Sequence, residues 1–298
     1  MFADARANLR TVRDLMRFSV SRFEEAGLVY GHGTTNAYDE AAYLILHTLH
    51  LPLERLEPFL DARLLPSEVN GVLDILERRV RDRVPAAYLT QEAWLGDFRF
   101  YVDERVIVPR SHIAAALEQG LAAWIPDAAS IRRALDLCTG SGCLAILLAL
   151  AFRRASVDAS DISGPALEVA RRNIHDYQLS ERVRPVESDL FAALGAERYD
   201  VIVSNPPYVS DASMRALPPE YRHEPALALI GGDDGLGVVR RILEQTKRHL
   251  TRRGILVVEV GDGRAALEAA YPDVEFTWLE AGAEDASVFL LEHDQLSD

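Results

Sequence analysis

The chain of 298 residues is long enough for one large domain and a smaller one, and its apolar content of 49% is typical of globular proteins. Its longest apolar run, Cys143 to Phe152, is too short to cross a hydrocarbon core about 30 Å thick. Most of the net charge of −14 lies after residue 110, which argues against a broad nucleic-acid surface. With two cysteines and no signal-peptide pattern, we expect a cytoplasmic protein with no membrane segment.

The first eighty or so residues have helical periodicity. Apolar side chains recur at intervals of three and four residues in 10–26, 38–50 and 66–83. We therefore predict a small helical domain over residues 1–90. Four arginines near the end of its third helix are expected to form the solvated face of that helix: Arg78, Arg79, Arg81 and Arg83. His47 and His50 are three residues apart but have no third candidate ligand, so no metal site is expected.

The pattern changes between Trp94 and Pro109. This run is rich in aromatic and β-branched residues, and Gly96–Asp97 and Asp103–Glu104 are candidate turns. We predict a β-hairpin over residues 91–110 that links two domains.

Strands and helices alternate from residue 131 onwards, which predicts an α/β domain over residues 111–298 with a mostly parallel, seven-stranded sheet. The last two strands have only a short link and are predicted to be antiparallel. The predicted strands are 133–138, 156–161, 183–187, 199–204, 254–260, 274–280 and 286–292. The predicted helices are 142–152, 164–178, 235–250 and 263–270.

Three strand ends carry candidate ligand-binding residues. The first leads into a glycine turn ending at Gly142, before a very apolar helix whose N–H groups are available to a ligand. The second ends at Asp161, nineteen residues later, where a carboxylate is placed to accept hydrogen bonds from ribose hydroxyls. The third leads to Asp189, beside the expected adenine edge. Each candidate also has a structural alternative. The glycine turn is then a plain strand-to-helix connection, Asp161 a residue at a helix start, and Asp189 a cap for the next segment.

The glycine pattern is sparser than a dinucleotide site normally requires. Cys138 stands where the first glycine of Gly-x-Gly-x-x-Gly would be, and no arginine cluster for phosphates is evident nearby. S-adenosylmethionine has no phosphate, so it suits this turn better than a dinucleotide does.

The fourth strand ends in Asn205-Pro206-Pro207-Tyr208. A planar amide nitrogen is a poor nucleophile with two hydrogens, which the Asn205 side-chain oxygen and the Pro206 carbonyl are suited to accept. Tyr208 is expected to pack over the flat group. Catalysis of this kind depends on positioning and electrostatics and needs neither a metal nor a strong base. The alternative is a structural Pro-Pro turn with an Asx bond.

These motifs resemble the Rossmann-like amino-methyltransferases, which include adenine, cytosine and protein glutamine methyltransferases. The helical N-terminal domain, Val108-Pro109-Arg110, Glu224-Pro225 and Gly231 to Leu236 are similar to the protein N5-glutamine methyltransferases, over nearly the whole chain. The resemblance implies a Rossmann-like sheet and S-adenosylmethionine as cofactor. It implies cofactor contacts from Asp136, Cys138, Thr139, Gly140, Ser141, Gly142, Asp161, Asp189, Leu190 and Asn205. It implies that Pro206, Pro207 and Tyr208, together with Asn205, frame the glutamine.

Two substrates are known in this family, translation release factors and the large-subunit ribosomal protein uL3. Tyr30 to Thr34, Arg110-Ser111 and Tyr221 to Pro225 resemble the group that acts on uL3, whereas release-factor relatives carry a cofactor-contacting Trp at the position of Leu190. The resemblance implies methylation of a uL3 glutamine. For the arginine run at residues 78–83, the alternative to a solvated helix face is contact with ribosomal RNA on an assembling particle. The alternatives left open are a release-factor enzyme, a nucleic-acid amino-methyltransferase, and a cofactor-binding scaffold without activity. We expect no DNA partner.

Overall fold

The computed structural model describes residues 1–118, 121, 123–279 and 287–297. The chain divides into two compact units. The first comprises Met1–Ala93 with Pro218–His223, and the second comprises Trp94–Leu217 with Glu224–Asp298. Across the described ranges, no helix has the length and apolarity needed to span a membrane.

The first unit is helical, with one apolar core of its own. A capping box between Thr11 and Asp14 starts the second helix, and the Asn36 side chain caps the third. The first and last helices are short additions to the three that periodicity predicts. Of those three, the first ends at the predicted residue and the other two end two residues earlier than expected. The helices are α1 (Phe2–Asn8), α2 (Val12–Ala26), α3 (Ala37–Thr48), α4 (Pro66–Arg81) and α5 (Ala86–Thr90).

The prediction that Arg79 lies on a solvated helix face is wrong. Its side chain is 1% exposed, because it follows Leu76 on the apolar face of α4. The guanidinium is satisfied there: Nε lies 2.7 Å from a carboxylate oxygen of Glu40 and Nη1 lies 3.4 Å from one of Glu220. Arg78 and Arg81 are exposed as predicted, whereas Arg83 is half-buried.

The predicted hairpin is present but shorter. It consists of β1 (Glu92–Leu95) and β2 (Phe98–Tyr101), joined at Gly96–Asp97, and the boundary between the two units falls within β1. The extension to Pro109 is wrong. The Asp103 carboxylate accepts a hydrogen bond from the Arg105 N–H at 3.1 Å, and this local turn ends the strand.

The second unit contains the predicted Rossmann-like, seven-stranded sheet. Its order is β10-β11-β9-β6-β3-β4-β5, and among the described strands of this sheet β11 alone runs in the opposite direction to the others. The predicted link around residues 280–286 lies outside the described residues. The strands of the sheet are β3 (Arg133–Leu137), β4 (Ser156–Asp161), β5 (Val183–Glu187), β6 (Tyr199–Ser204), β9 (Leu250–Glu259), β10 (Thr277–Leu279) and β11 (Val288–Glu292). A separate two-stranded sheet consists of β7 (Val209–Ser210) and β8 (Ile230–Gly232).

Helices cover both faces of this sheet, because neighbouring strand residues alternate between two apolar clusters. In β6, Val201 and Val203 belong to one cluster and Ile202 to the other. The first face packs against α6 (Ile113–Glu118), α7 (Cys143–Ala151) and α8 (Gly164–Asp176), and the second against α10 (Gly237–Thr246) and α11 (Arg264–Ala270). One further short helix, α9 (Asp211–Ala216), follows β7. The carboxyl ends of β3, β4 and β6 therefore meet at one edge, where ligands bind in such sheets.

Candidate active site

The turn after β3 has an unusual backbone. Cys138, Gly140 and Gly142 have φ angles of 59°, 54° and 80°, in the left-handed region that glycine tolerates best. A Cβ at Gly142 would lie 3.1 Å from the Cβ of Ala170 in α8, so glycine also allows close packing there. A Cβ at Gly140 would meet nothing within 4 Å, so the backbone at that position is open to a ligand.

Asp161, at the end of β4, holds this turn. Its Oδ2 accepts a hydrogen bond from the Gly140 N–H at 2.9 Å, and its Oδ1 accepts one from the Ser163 N–H at 2.9 Å. Ser163 in turn caps α8. Burial raises the pKa of the Asp161 carboxyl. The carboxylate thus has a structural task in addition to the ligand contact predicted for it.

An open cavity with an empty volume of about 930 Å³ lies at this edge of the second unit. Seven of the predicted site residues line it: Cys138, Gly140, Asp161, Asp189, Leu190, Asn205 and Pro207. The other predicted residues lie next to these in the chain, but do not line the cavity: Asp136, Thr139, Ser141, Gly142, Pro206 and Tyr208. Sequence reasoning missed two irregular segments of the wall, at residues 105–107 and 225–230.

Asp136 supports the glycine turn from within the protein. Its side chain is fully buried, and Oδ2 accepts hydrogen bonds from Thr139 Oγ1 at 2.5 Å and from the Ala145 N–H at 2.9 Å. Burial raises the pKa of this carboxyl to about 7.

The sequence near the glycine turn shows no arginine cluster for phosphates, but the folded chain brings two arginines from elsewhere, Arg105 and Arg241, to the cavity wall. Both are already paired with carboxylates. Arg241 lies 2.7 Å from Asp189, and Arg105 lies 2.7 Å from both Asp103 and Glu168. The pairing offsets the positive charge that a pyrophosphate would need. Carboxylate acceptors among apolar side chains such as Leu190 fit a nucleoside without phosphates.

The Asn-Pro-Pro-Tyr turn begins beside the glycine turn. Ser204 Oγ donates a hydrogen bond to the Leu137 carbonyl at 2.9 Å and so holds the ends of β6 and β3 together. Asn205 lines the cavity, and within the described residues its side chain makes no hydrogen bond. An amide with its donors and acceptor uncommitted is available to a bound molecule.

Two glycines, Gly231 and Gly235, pack directly against the main chain of Tyr208. A Cβ at Gly231 would lie 2.8 Å from the Tyr208 Cα, and a Cβ at Gly235 would overlap the Tyr208 carbonyl oxygen. The Gly231 to Leu236 run, noted in the sequence only as a resemblance, therefore has a steric role at this turn.

Two buried glutamates near the site were not predicted to be site residues. The Glu224 carboxylate accepts hydrogen bonds from both terminal nitrogens of Arg110, at 2.5 and 2.6 Å, and from the Val108 N–H at 3.0 Å. These bonds join the two irregular wall segments. Glu259 ends β9 and accepts hydrogen bonds from Ser111 and Tyr208. A charged residue directly after the apolar run Ile255 to Val258 is the signal that could have identified it.

Several proteins with similar sequences are named as methyltransferases. A family profile described as "Methyltransferase small domain" matches residues 118–217. The ribosomal protein uL3 glutamine methyltransferase of Bordetella pertussis is 57% identical over 98% of each chain. The enzyme of the same name from Neisseria meningitidis is 56% identical over 99% of this chain and 97% of that one. The one from Bradyrhizobium diazoefficiens is 48% identical, over 95% and 91%.

The identities are far above what a shared fold alone requires, and they extend over both units. The cavity at the carboxyl ends of β3, β4 and β6 agrees with a methyltransferase that uses a methyl donor of the S-adenosylmethionine type. The chain belongs to the ribosomal protein uL3 glutamine methyltransferase family.

Proposed function

We propose that this methyltransferase transfers a methyl group from S-adenosylmethionine to the side-chain amide nitrogen of a glutamine in the ribosomal protein uL3. The observation that carries the proposal is the uncommitted amide of Asn205 in the wall of a cavity that Asp161 also lines. The names of full-length relatives support uL3 as the substrate. A ribosomal-protein substrate supports a cytoplasmic location.

The cofactor residues follow from the cavity wall. Asp161 keeps unused lone pairs for ribose hydroxyls, the Gly140 backbone allows close approach, and Asp189 and Leu190 flank the adenine side. Four residues behind the cavity wall hold the glycine turn in shape: Asp136, Thr139, Ser141 and Gly142. When bound, S-adenosylmethionine supplies an electrophilic methyl group.

The substrate amide is positioned by the Asn-Pro-Pro-Tyr turn. The Asn205 side-chain oxygen and the Pro206 carbonyl accept the two amide hydrogens, which fixes the nitrogen and removes its water. Pro207 stiffens the turn, and Tyr208 provides a wall for the flat amide. Residues 1–90, with their own core, are proposed to recognise the protein substrate, and residues 91–110 to link them to the catalytic domain.

A parallel assay tests this function. The chain is incubated with tritium-labelled S-adenosylmethionine and with purified uL3, release factor or DNA. We expect label in uL3, at a glutamine by mass spectrometry. Label mainly in release factor would move the substrate assignment within the family, and label in DNA would contradict protein methylation.

Replacing Asn205 with Ala tests the chemistry. Loss of one positioned polar partner in an active site lowers the rate by about 10²–10³, so we expect turnover to fall at least that far. The melting temperature should change little, because Asn205 makes no hydrogen bond to the rest of the described protein. Activity within a few-fold of the parent would show that this turn is only structural.

A further inference from the structure

A buried carboxyl group lies beside the proposed amide position. Glu259 is 1% exposed and is the last residue of β9, next to β6, whose Ser204 pairs with Val258. Its Oε2 accepts hydrogen bonds from Ser111 Oγ at 2.7 Å and from the His112 N–H at 2.9 Å. Its Oε1 accepts a third, from the Tyr208 hydroxyl, at 3.3 Å.

The Tyr208 ring is constrained at two further points. Gly261 has a φ of 51°, and a Cβ there would lie 2.6 Å from Cε2 and 2.8 Å from Cδ2 of the ring. The main chain of Tyr208 lies against Gly231 and Gly235. The packing fixes the plane of the ring, and the acceptor on Glu259 fixes the direction of the hydroxyl proton.

Burying the Glu259 carboxyl costs free energy, so its place inside the protein needs an explanation. A buried carboxylate is stabilised by an ion pair or by several hydrogen bonds. Among the described residues, Glu259 has three hydrogen bonds and no ion pair with arginine or lysine. Burial raises the pKa of this carboxyl. Ionisable groups in such environments are concentrated at functional sites.

We propose that Glu259 is a positioning residue for methyl transfer. Anchored by Ser111 and His112, its carboxylate accepts a hydrogen bond from the Tyr208 hydroxyl, so that the ring keeps one orientation as the wall for the substrate amide. The proposal rests on the proposed function, since it requires an amide next to Tyr208.

Replacing Glu259 with Gln reverses one hydrogen bond at nearly constant size. The glutamine oxygen still accepts from Ser111 and His112, but its NH₂ group now donates to the Tyr208 oxygen. We expect kcat for uL3 to fall about tenfold or more, with KM and the affinity for S-adenosylhomocysteine changed less than threefold. Tyr208→Phe should lower kcat by a similar factor.

A double-mutant cycle separates positioning from general damage. If Glu259 acts through the hydroxyl, the double variant Glu259→Gln, Tyr208→Phe has about the kcat of the lower single variant. Glu224→Gln is the matched control: it is equally buried in the same unit but bonds Arg110, so its effect should multiply with that of Tyr208→Phe. If Glu259→Gln does not fold, Ser111→Ala takes its place in the cycle, since it removes the anchor of the same carboxyl.

The outcomes are distinct. Non-additive loss in kcat supports the proposal. An active parent whose Glu259→Gln and Tyr208→Phe effects multiply, or whose Glu259→Gln keeps parental kcat, overturns this proposal alone. A parent that methylates none of uL3, release factor and DNA overturns the proposed function and this proposal together.

Discussion

Asp161 holds the glycine turn and is proposed to bind the ribose as well, and substitution can separate the two tasks. Asp161→Ala removes the acceptors for Gly140, for Ser163 and for the proposed ribose hydroxyls. A lost charged hydrogen bond costs about 1.5–3 kcal/mol, which corresponds to a ten- to hundredfold weaker affinity. We expect that loss for S-adenosylhomocysteine in calorimetry.

Asp161→Asn is the control for the structural task. It keeps one oxygen for a backbone N–H but has no charge and only one acceptor. Its melting temperature should lie closer to that of the parent than the melting temperature of Asp161→Ala does. Its affinity for S-adenosylhomocysteine should stay reduced. Unchanged affinity in both variants would show that Asp161 only holds the glycine turn.

The buried Asp136 makes a specific prediction about pH. Its pKa in the folded protein is about 7, against an ordinary value of 3.8, so the folded state keeps this proton when the unfolded state has already lost it. Between about pH 4 and pH 7 this group therefore lowers the free energy of unfolding as pH rises, and above pH 7 the loss is complete. The full effect is about 4 kcal/mol.

Asp136→Asn mimics the protonated form and keeps an acceptor for Thr139 and Ala145. Urea titrations at pH 4.5, 6 and 8 measure the free energy of unfolding of both proteins. We expect the value for the variant minus that for the parent to increase as pH rises. The other buried carboxyls are common to both proteins and cancel in this difference. A constant difference across the three pH values would contradict a raised pKa at Asp136.

At the scale of elements, Pro218–His223 lies with the helical unit although its neighbours in sequence belong to the other one. Glu220 is fully buried there, and its Oε1 accepts hydrogen bonds from the Val29 N–H at 3.2 Å and from Arg83 at 3.2 Å, in addition to Arg79. Arg79→Met should therefore leave the carboxylates of Glu40 and Glu220 buried with too few partners. Breaking a buried ion pair from one side costs about 3–5 kcal/mol.

Arg78→Met is the matched control for this prediction, since it lies on the same helix but is exposed. Arg78→Met should change the free energy of unfolding by no more than about 0.5 kcal/mol. Chemical denaturation followed by circular dichroism measures both. Equal, small effects of the two substitutions would contradict a stabilising role for the buried cluster.

The regular elements could be predicted because their apolar periods are strong. The strands of the parallel sheet begin or end close to the predicted residues, and chain order alone brings Gly140, Asp161 and Asn205 to one edge. Short helices such as α6 and α9 have too few turns to show a period. The period places Arg79 on the apolar face of α4, but it does not show the carboxylates that allow its burial, since Glu40 and Glu220 lie 39 and 141 residues away. The wall at 225–230 is irregular and has no period.

At the scale of the whole molecule, the chain has separate apolar cores in its two units, and all described residues of the cavity wall belong to the second. A ligand stabilises only what must be folded to bind it. S-adenosylhomocysteine at a hundred times its dissociation constant should therefore stabilise the second unit by about 2.7 kcal/mol.

Hydrogen exchange with the full chain makes this last prediction measurable. With ligand, amides of β3, β4 and α7 should exchange about a hundredfold more slowly where exchange reports unfolding of the unit. Amides of α2, α3 and α4 should keep their rates, because their core contains no part of the cavity. Asp161→Ala at the same ligand concentration should show a smaller slowing in β3 and β4. Equal slowing in both units would instead show that they unfold as one cooperative body, and the helical unit would then share in the cofactor's binding energy.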